Sequence, residues 1–130
     1  MKLLYLALVT IMLFPGSKPG DPIDNIAALI RQGNIRELSK SFADNVEITV
    51  LGEANVYSKA QAALILDRFF SQNKPESVKM LHKVNSNPNY RFGVLIMNTN
   101  KGTYRIAFTL KGTDNNPVLI EFRIETEKVK

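Results

Sequence analysis

A chain of 130 residues has room for one domain. Its composition, 45% hydrophobic and 22% charged, is that of a globular protein and excludes wholesale disorder and collagen-like repeats. It has no Cys, which removes disulfides, thiolate zinc sites, iron–sulfur clusters and a thiol nucleophile. With only one His, no metal site and no cofactor is expected.

The formal charge of +5 suggests nucleic acid at first sight, but its placement argues against it. Without Lys2 and Lys18 at the amino terminus, fifteen basic residues stand against twelve acidic ones; without Lys128 and Lys130 in the tail, thirteen do. No basic run interleaves with aromatics as a nucleic-acid groove requires, so the reading is a solvated surface of mixed charge.

In chain order, Met1-Lys2 is a short positive start. Leu3 to Phe14 is a nearly unbroken apolar stretch of 12 residues, within the roughly 7–15 of a signal-peptide core and short of the ~20 a membrane span needs. Pro15 to Gly20 cannot continue a helix and reads as the cleavage region. The expectation is a signal peptide and cleavage region over residues 1–20, followed by a single exported α+β domain over 21–130, periplasmic or secreted. An uncleaved anchor is the alternative, because no clean pair of small residues marks a cleavage site.

Asp21-Pro22-Ile23-Asp24 has the N-cap, first-turn Pro and early acid of a helix start, and Ile23, Ile26, Ala27 and Ile30 follow at helical spacing. Gly33-Asn34 ends that helix, and Asn34 caps a short second one with Ile35, Leu38 and Phe42 on one face. Asp44-Asn45 reads as a turn. Val46 to Leu51 alternates as a strand, and Gly52-Glu53 returns the chain to a short strand at Asn55 to Tyr57. Ser58-Lys59-Ala60-Gln61 is a capping box opening a helix with Ala62, Ile65, Leu66, Phe69 and Phe70 buried, closed by Lys74-Pro75.

Four strands follow. Ser77 to Val84 is expected to bury Val78, Met80, His82 and Val84, and Asn85 to Asn89 reads as a loop. Tyr90 to Thr99 is apolar on both faces, with Tyr90, Phe92, Val94 and Ile96 assigned inward and Leu95 and Met97 outward. Asn100-Lys101-Gly102 is a tight turn. Thr103 to Lys111 buries Tyr104, Ile106, Phe108 and Leu110. Val118 to Glu127 buries Val118, Ile120, Phe122 and Ile124. Strands joined this way form a curved antiparallel meander, and the three helices are the cover for its oily face. The predicted class is α+β, in the order α-α-β-β-α-β-β-β-β, a cone closed at one end.

The element order resembles the nuclear-transport-factor-2-like superfamily, also described as cystatin-like. Ile26 to Phe42 (with Gln32-Gly33-Asn34 at the bend), Tyr57 to Gln61, Leu66 to Phe70 and Gly102 to Arg105 are similar to a small family of exported bacterial proteins, domain of unknown function 4783. The resemblance implies fold and export; it transfers no catalytic residue, because the family has no assigned activity.

Candidate chemistry is sparse. His82 alone titrates near neutrality unperturbed, and inward parity would place it at a cavity as an acid/base; the alternative is a ring satisfied by a local carbonyl or hydroxyl. Asp67 borders the buried stripe of its helix and could be the partner base, or an ion-pair acid beside Arg68 or Arg105. Tyr57, Tyr90 and Tyr104, with His82, could line a ligand cavity, or serve as ordinary core and rim. Arg105, Glu121, Arg123 and Glu125 share an outward face fit for cross-strand ion pairs. A strand apolar on both sides is covered on both sides, so a homodimer is expected through the outer sheet face, using Leu95, Met97, Arg105 and Ala107. Phosphate-cradling glycines, a zinc-protease helix, a calcium loop and an esterase elbow are all missing. These observations favour a non-catalytic module binding a small molecule or a protein, with no nucleic acid and no stable membrane span. The alternative is a small isomerase, dehydratase or hydrolase using His82 and Asp67.

Overall fold

The computed structural model describes residues 21–112 and 116–128. The predicted leader lies outside them. Helix α1 (Pro22–Gln32) starts as the sequence indicates: the Asp21 side chain accepts the Ile23 N–H at 2.8 Å, and Gly33 ends it at φ 67°, a left-handed conformation that glycine adopts without strain. Asn34 caps α2 (Ile35–Ser39), accepting from the Glu37 N–H at 3.2 Å. Strand β1 (Phe42–Val50) and β2 (Glu53–Ser58) form a hairpin whose turn holds Leu51 and Gly52 at positive φ. Ser58 and Gln61 form the expected capping box of α3 (Lys59–Gln72). The chain ends in β3 (Pro75–Asn87), β4 (Tyr90–Thr99), β5 (Thr103–Lys111) and β6 (Val118–Thr126).

The strands lie in one sheet in the order β2-β1-β6-β5-β4-β3. The meander from β3 to β6 is antiparallel throughout, and β1 joins β6 in parallel, closing the sheet across the two halves of the chain. Ile23, Ile26 and Ile30 of α1, Leu38 of α2, and Ala62, Leu66, Phe69 and Phe70 of α3 pack in one core with the inner faces of the strands. The helices roof one side of the sheet, as expected.

Several sequence assignments need correction. Asp44 and Asn45 are not a turn but exposed positions within β1, where the pairing with β6 slips between Phe42 and Glu47. Asn85 to Asn87 continue β3 instead of forming a loop.

The faces of β4 are reversed. Leu95 and Met97 are fully buried in the core, opposite Ile106 and Tyr104 of β5, whereas Phe92 and Ile96 pair with Thr109 and Arg105 on the outer side. The physical reason is register: the turn at Asn100–Gly102 places Asn98 opposite Thr103, and every later pair inherits that phase.

In β3 the register shifts between Met80 and His82. Val78 and Met80 pack on the core as predicted, but beyond this bulge His82 and Val84 turn outward and become exposed. A second bulge between Thr109 and Leu110 lets Leu119 occupy the inner position; Val118 is exposed and Ile120 is only half-buried.

Candidate functional site

At one end of the cone, the β1–β2 hairpin, the second half of α3 and the start of β5 enclose a cleft of about 350 Å³. Ile48 and Val50 come from the inner face of β1, Ile65 and Phe69 from the buried stripe of α3, and Tyr104 from β5. Around them stand Leu51, Glu53, Tyr57, Arg68, Gln72 and Asn73. The volume lies at the lower end of the roughly 300–1,000 Å³ range of small-molecule sites.

One wall is pre-set. The Tyr104 hydroxyl donates to Asn73 Oδ1 at 2.9 Å, and Asn73 Nδ2 donates to the Phe69 carbonyl at 3.0 Å. The Asn73 backbone N–H donates to that same carbonyl, so a buried asparagine both ends the helix and fixes the tyrosine. The Tyr104 ring meets Phe69 edge-on, with centroids 5.1 Å apart. The side chains lining this wall therefore need little ordering when a ligand enters.

Of the predicted site residues, Tyr57 and Tyr104 meet in this cleft. Tyr90 does not; it lies half-exposed on the outer face of β4. His82 is exposed, opposite Val94 on that outer face, so its predicted inward position is corrected by the bulge. Asp67 is exposed on α3 and lines two other pockets, of about 350 and 520 Å³, away from the cleft, one with Gln32 and Lys74, the other with Arg36 and Ala60. The helices and the core separate it from the outer face, so His82 and Asp67 do not converge.

Arg105 pairs with Glu127, at 3.0 and 3.1 Å, rather than with Asp67. The hydrogen bond and charge of Glu127 raise the Arg105 pKa, and the hydrogen bond and charge of Arg105 lower that of Glu127. Arg123 approaches Glu121 at 3.8 Å on the same outward face. Among the described residues no three His, Asp or Glu side chains cluster as a metal site needs, and no helix is long and apolar enough to cross a membrane.

Sequence reasoning missed Glu53, Arg68, Gln72 and Asn73. Arg68 was legible as a polar residue one turn beyond Ile65. Nothing in the sequence joins Asn73 to Tyr104 across 31 positions.

The curved sheet roofed on its concave side is the nuclear-transport-factor-2-like, or cystatin-like, architecture. One structural match is a domain of unknown function with a cystatin-like fold from Nostoc punctiforme, at a TM-score of 0.63 and 10% identity, covering 82% of this chain and 77% of that one. The chain itself belongs to the domain of unknown function family DUF4783, whose profile matches residues 23–125. Two solved members share its fold. The protein from Bacteroides uniformis has a TM-score of 0.78 and 22% identity over 84% of this chain and 100% of that one. The protein from Bacteroides ovatus has a TM-score of 0.75 and 23% identity over 80% and 94%. Among curated proteins none matches.

Proposed function

We propose that this domain is an exported, non-catalytic binding module that holds a small ligand in the cleft between α3 and the β1–β2 hairpin. The observation that carries the reading is the cleft itself: an apolar floor, a hydrogen-bonded aromatic wall and polar groups around them. Export is supported by the charged start and apolar core of the leader. An acid/base mechanism using His82 and Asp67 draws no support from their positions on separate surfaces.

A homodimer through the outer sheet face belongs to the same proposal, with altered residues. Leu95 and Met97 are core, so the surface consists of Tyr90, Phe92, Ile96 and Val84 beside Ala107 and Arg105. No helix covers this row among the described residues, and its large side chains are exposed enough to seat a second sheet.

A thermal-shift screen of a small-molecule library tests the binding reading. Hits should survive His82→Ala and disappear with Tyr104→Ala; a screen with no hits, or hits insensitive to Tyr104, overturns it. Sedimentation tests the dimer. The expected outcome is a dimer that Phe92→Lys converts to a folded monomer, and a monomeric wild type defeats it.

A further inference from the structure

Ion pairs elsewhere on this protein include Lys40 with Glu37, Lys83 with Asp24 and Arg105 with Glu127. The cleft holds two opposite charges that are not joined in this way. Arg68 on α3 and Glu53 at the start of β2 both line it, and neither side chain makes a hydrogen bond or ion pair among the described residues. Two opposite charges with open bonding capacity therefore stand over a floor built from Ile48, Ile65 and Phe69.

We infer that the ligand is a dipolar small molecule with an apolar or aromatic body, carrying a carboxylate for Arg68 and an ammonium for Glu53. This rests on the cleft being the ligand site. The argument is one of elimination by charge. A ligand with only a carboxylate gains a paired bond from the planar guanidinium but brings its charge against Glu53. A ligand with only an amine meets the converse problem at Arg68. A neutral ligand can at most hydrogen-bond to the two groups and pairs with neither charge. Only a dipolar ligand pairs with both, with its body on the apolar floor. The volume of about 350 Å³ suits a molecule the size of one amino acid or a dipeptide.

Four probes built on one aromatic ring separate these cases: phenylalanine, 3-phenylpropionate, 2-phenylethylamine and benzyl alcohol, titrated calorimetrically into the protein. Phenylalanine is expected to bind at least about tenfold tighter than either singly charged probe, a difference of about 1.4 kcal/mol. Arg68→Gln should abolish its advantage over the amine, and Glu53→Gln its advantage over the carboxylate. Both residues are exposed, so an unchanged melting temperature verifies that the variants fold. If benzyl alcohol or either singly charged probe binds as tightly as phenylalanine, the dipolar ligand is wrong while the cleft remains a binding site. If none of the four binds, the dipolar proposal fails, and an empty library screen then removes the cleft reading as well.

Discussion

The two faces of β4 carry nearly the same chemistry and meet opposite fates. Leu95 and Met97 are 0% exposed beneath the helices, while Tyr90 and Phe92 on the other face are 48% and 36% exposed. Hydrophobicity does not choose between them, because both rows are apolar. The choice is made by the neighbouring strand: β5 has an unambiguous polar row in Arg105 and Thr109, and antiparallel pairing forces Ile96 and Phe92 to share it. A strand that is ambiguous alone is thus oriented by the least ambiguous strand hydrogen-bonded to it.

The sharpest way to break this comparison is truncation on each side. Leu95→Ala removes a fully buried side chain and should cost about 2–5 kcal/mol, whereas Phe92→Ala in the monomeric state should cost well under that. Urea unfolding of both variants, below the concentration at which any dimer persists, reads the difference. Equal losses would mean that the two faces are equally packed.

Gly93 sharpens the same contrast at a single atom. A Cβ there would stand 2.7 Å from Phe108 Cζ and 3.0 Å from Ile23 Cγ2, inside contact distance on the roofed side. Gly93→Ala should therefore destabilise by about 1–3 kcal/mol through overpacking, despite improving strand propensity. A neutral or stabilising result in thermal unfolding would show that α1 is not seated on β4 as described.

Between these and the smallest effects lies Tyr104→Phe. It deletes a hydroxyl that donates to buried Asn73 Oδ1, so unfolding should show a loss of about 1 kcal/mol. Ligand hits in the cleft should weaken with it, because the aromatic wall loses its fixed geometry. Retained stability and unchanged hits would mean the wall is held by Phe69 packing alone.

These positions also mark what was legible in the sequence. Local signals held where their cause is local: the Asp21, Asn34 and Ser58 caps, the Gly33 stop and the stripe of α3 all follow from hydrogen bonds closed within a few residues. β5 was legible because its alternation is clean. What failed depends on partners distant in sequence. Each bulge, near Leu81 and near Ile120, inserts one residue that no pattern of polar and apolar letters announces, and everything beyond it changes face. The β4 error was avoidable, since pairing from the Asn100–Gly102 turn places Ile96 opposite Arg105. The cleft was half visible: Tyr57 and Tyr104 were nameable as amphipathic candidates, but Asn73 acquires its role only when the end of α3 meets the start of β5.

The bulge in β3 makes the smallest and most discriminating prediction. Before it, Lys79 lies on the outer face opposite Ile96; after it, Lys83 turns inward and reaches the start of α1, 3.0 Å from Asp24 and 3.5 Å from Asp21. Partial burial pushes the Asp21 carboxyl up, but the Ile23 N–H, the Asn85 amide and Lys83 together outweigh it and hold the group below its ordinary value. Lys83 is raised, chiefly by its hydrogen bond to Asp24. A lowered carboxylate contributes stability that is complete above its unfolded pKa of about 3.9 and is lost as pH falls through the folded value. A raised lysine contributes below its unfolded pKa of about 10.4 and loses that contribution as pH rises through the folded value. The neutral range holds both. Asp21→Asn keeps an oxygen for the Ile23 N–H but removes the charge and the second oxygen, Oδ2, which accepts from Asn85 Nδ2 at 3.0 Å. The variant's melting temperature should fall slightly at pH 7, and the deficit should narrow as pH falls through the folded value and the native carboxylate takes up its proton. Lys83→Met should reproduce the neutral-pH loss, and Lys79→Met should not. If the two lysine variants lose equally, or the Asp21→Asn deficit is as large in acid as at pH 7, then the bulge does not steer Lys83 onto α1, and the outward placement of His82 by that same bulge falls with it.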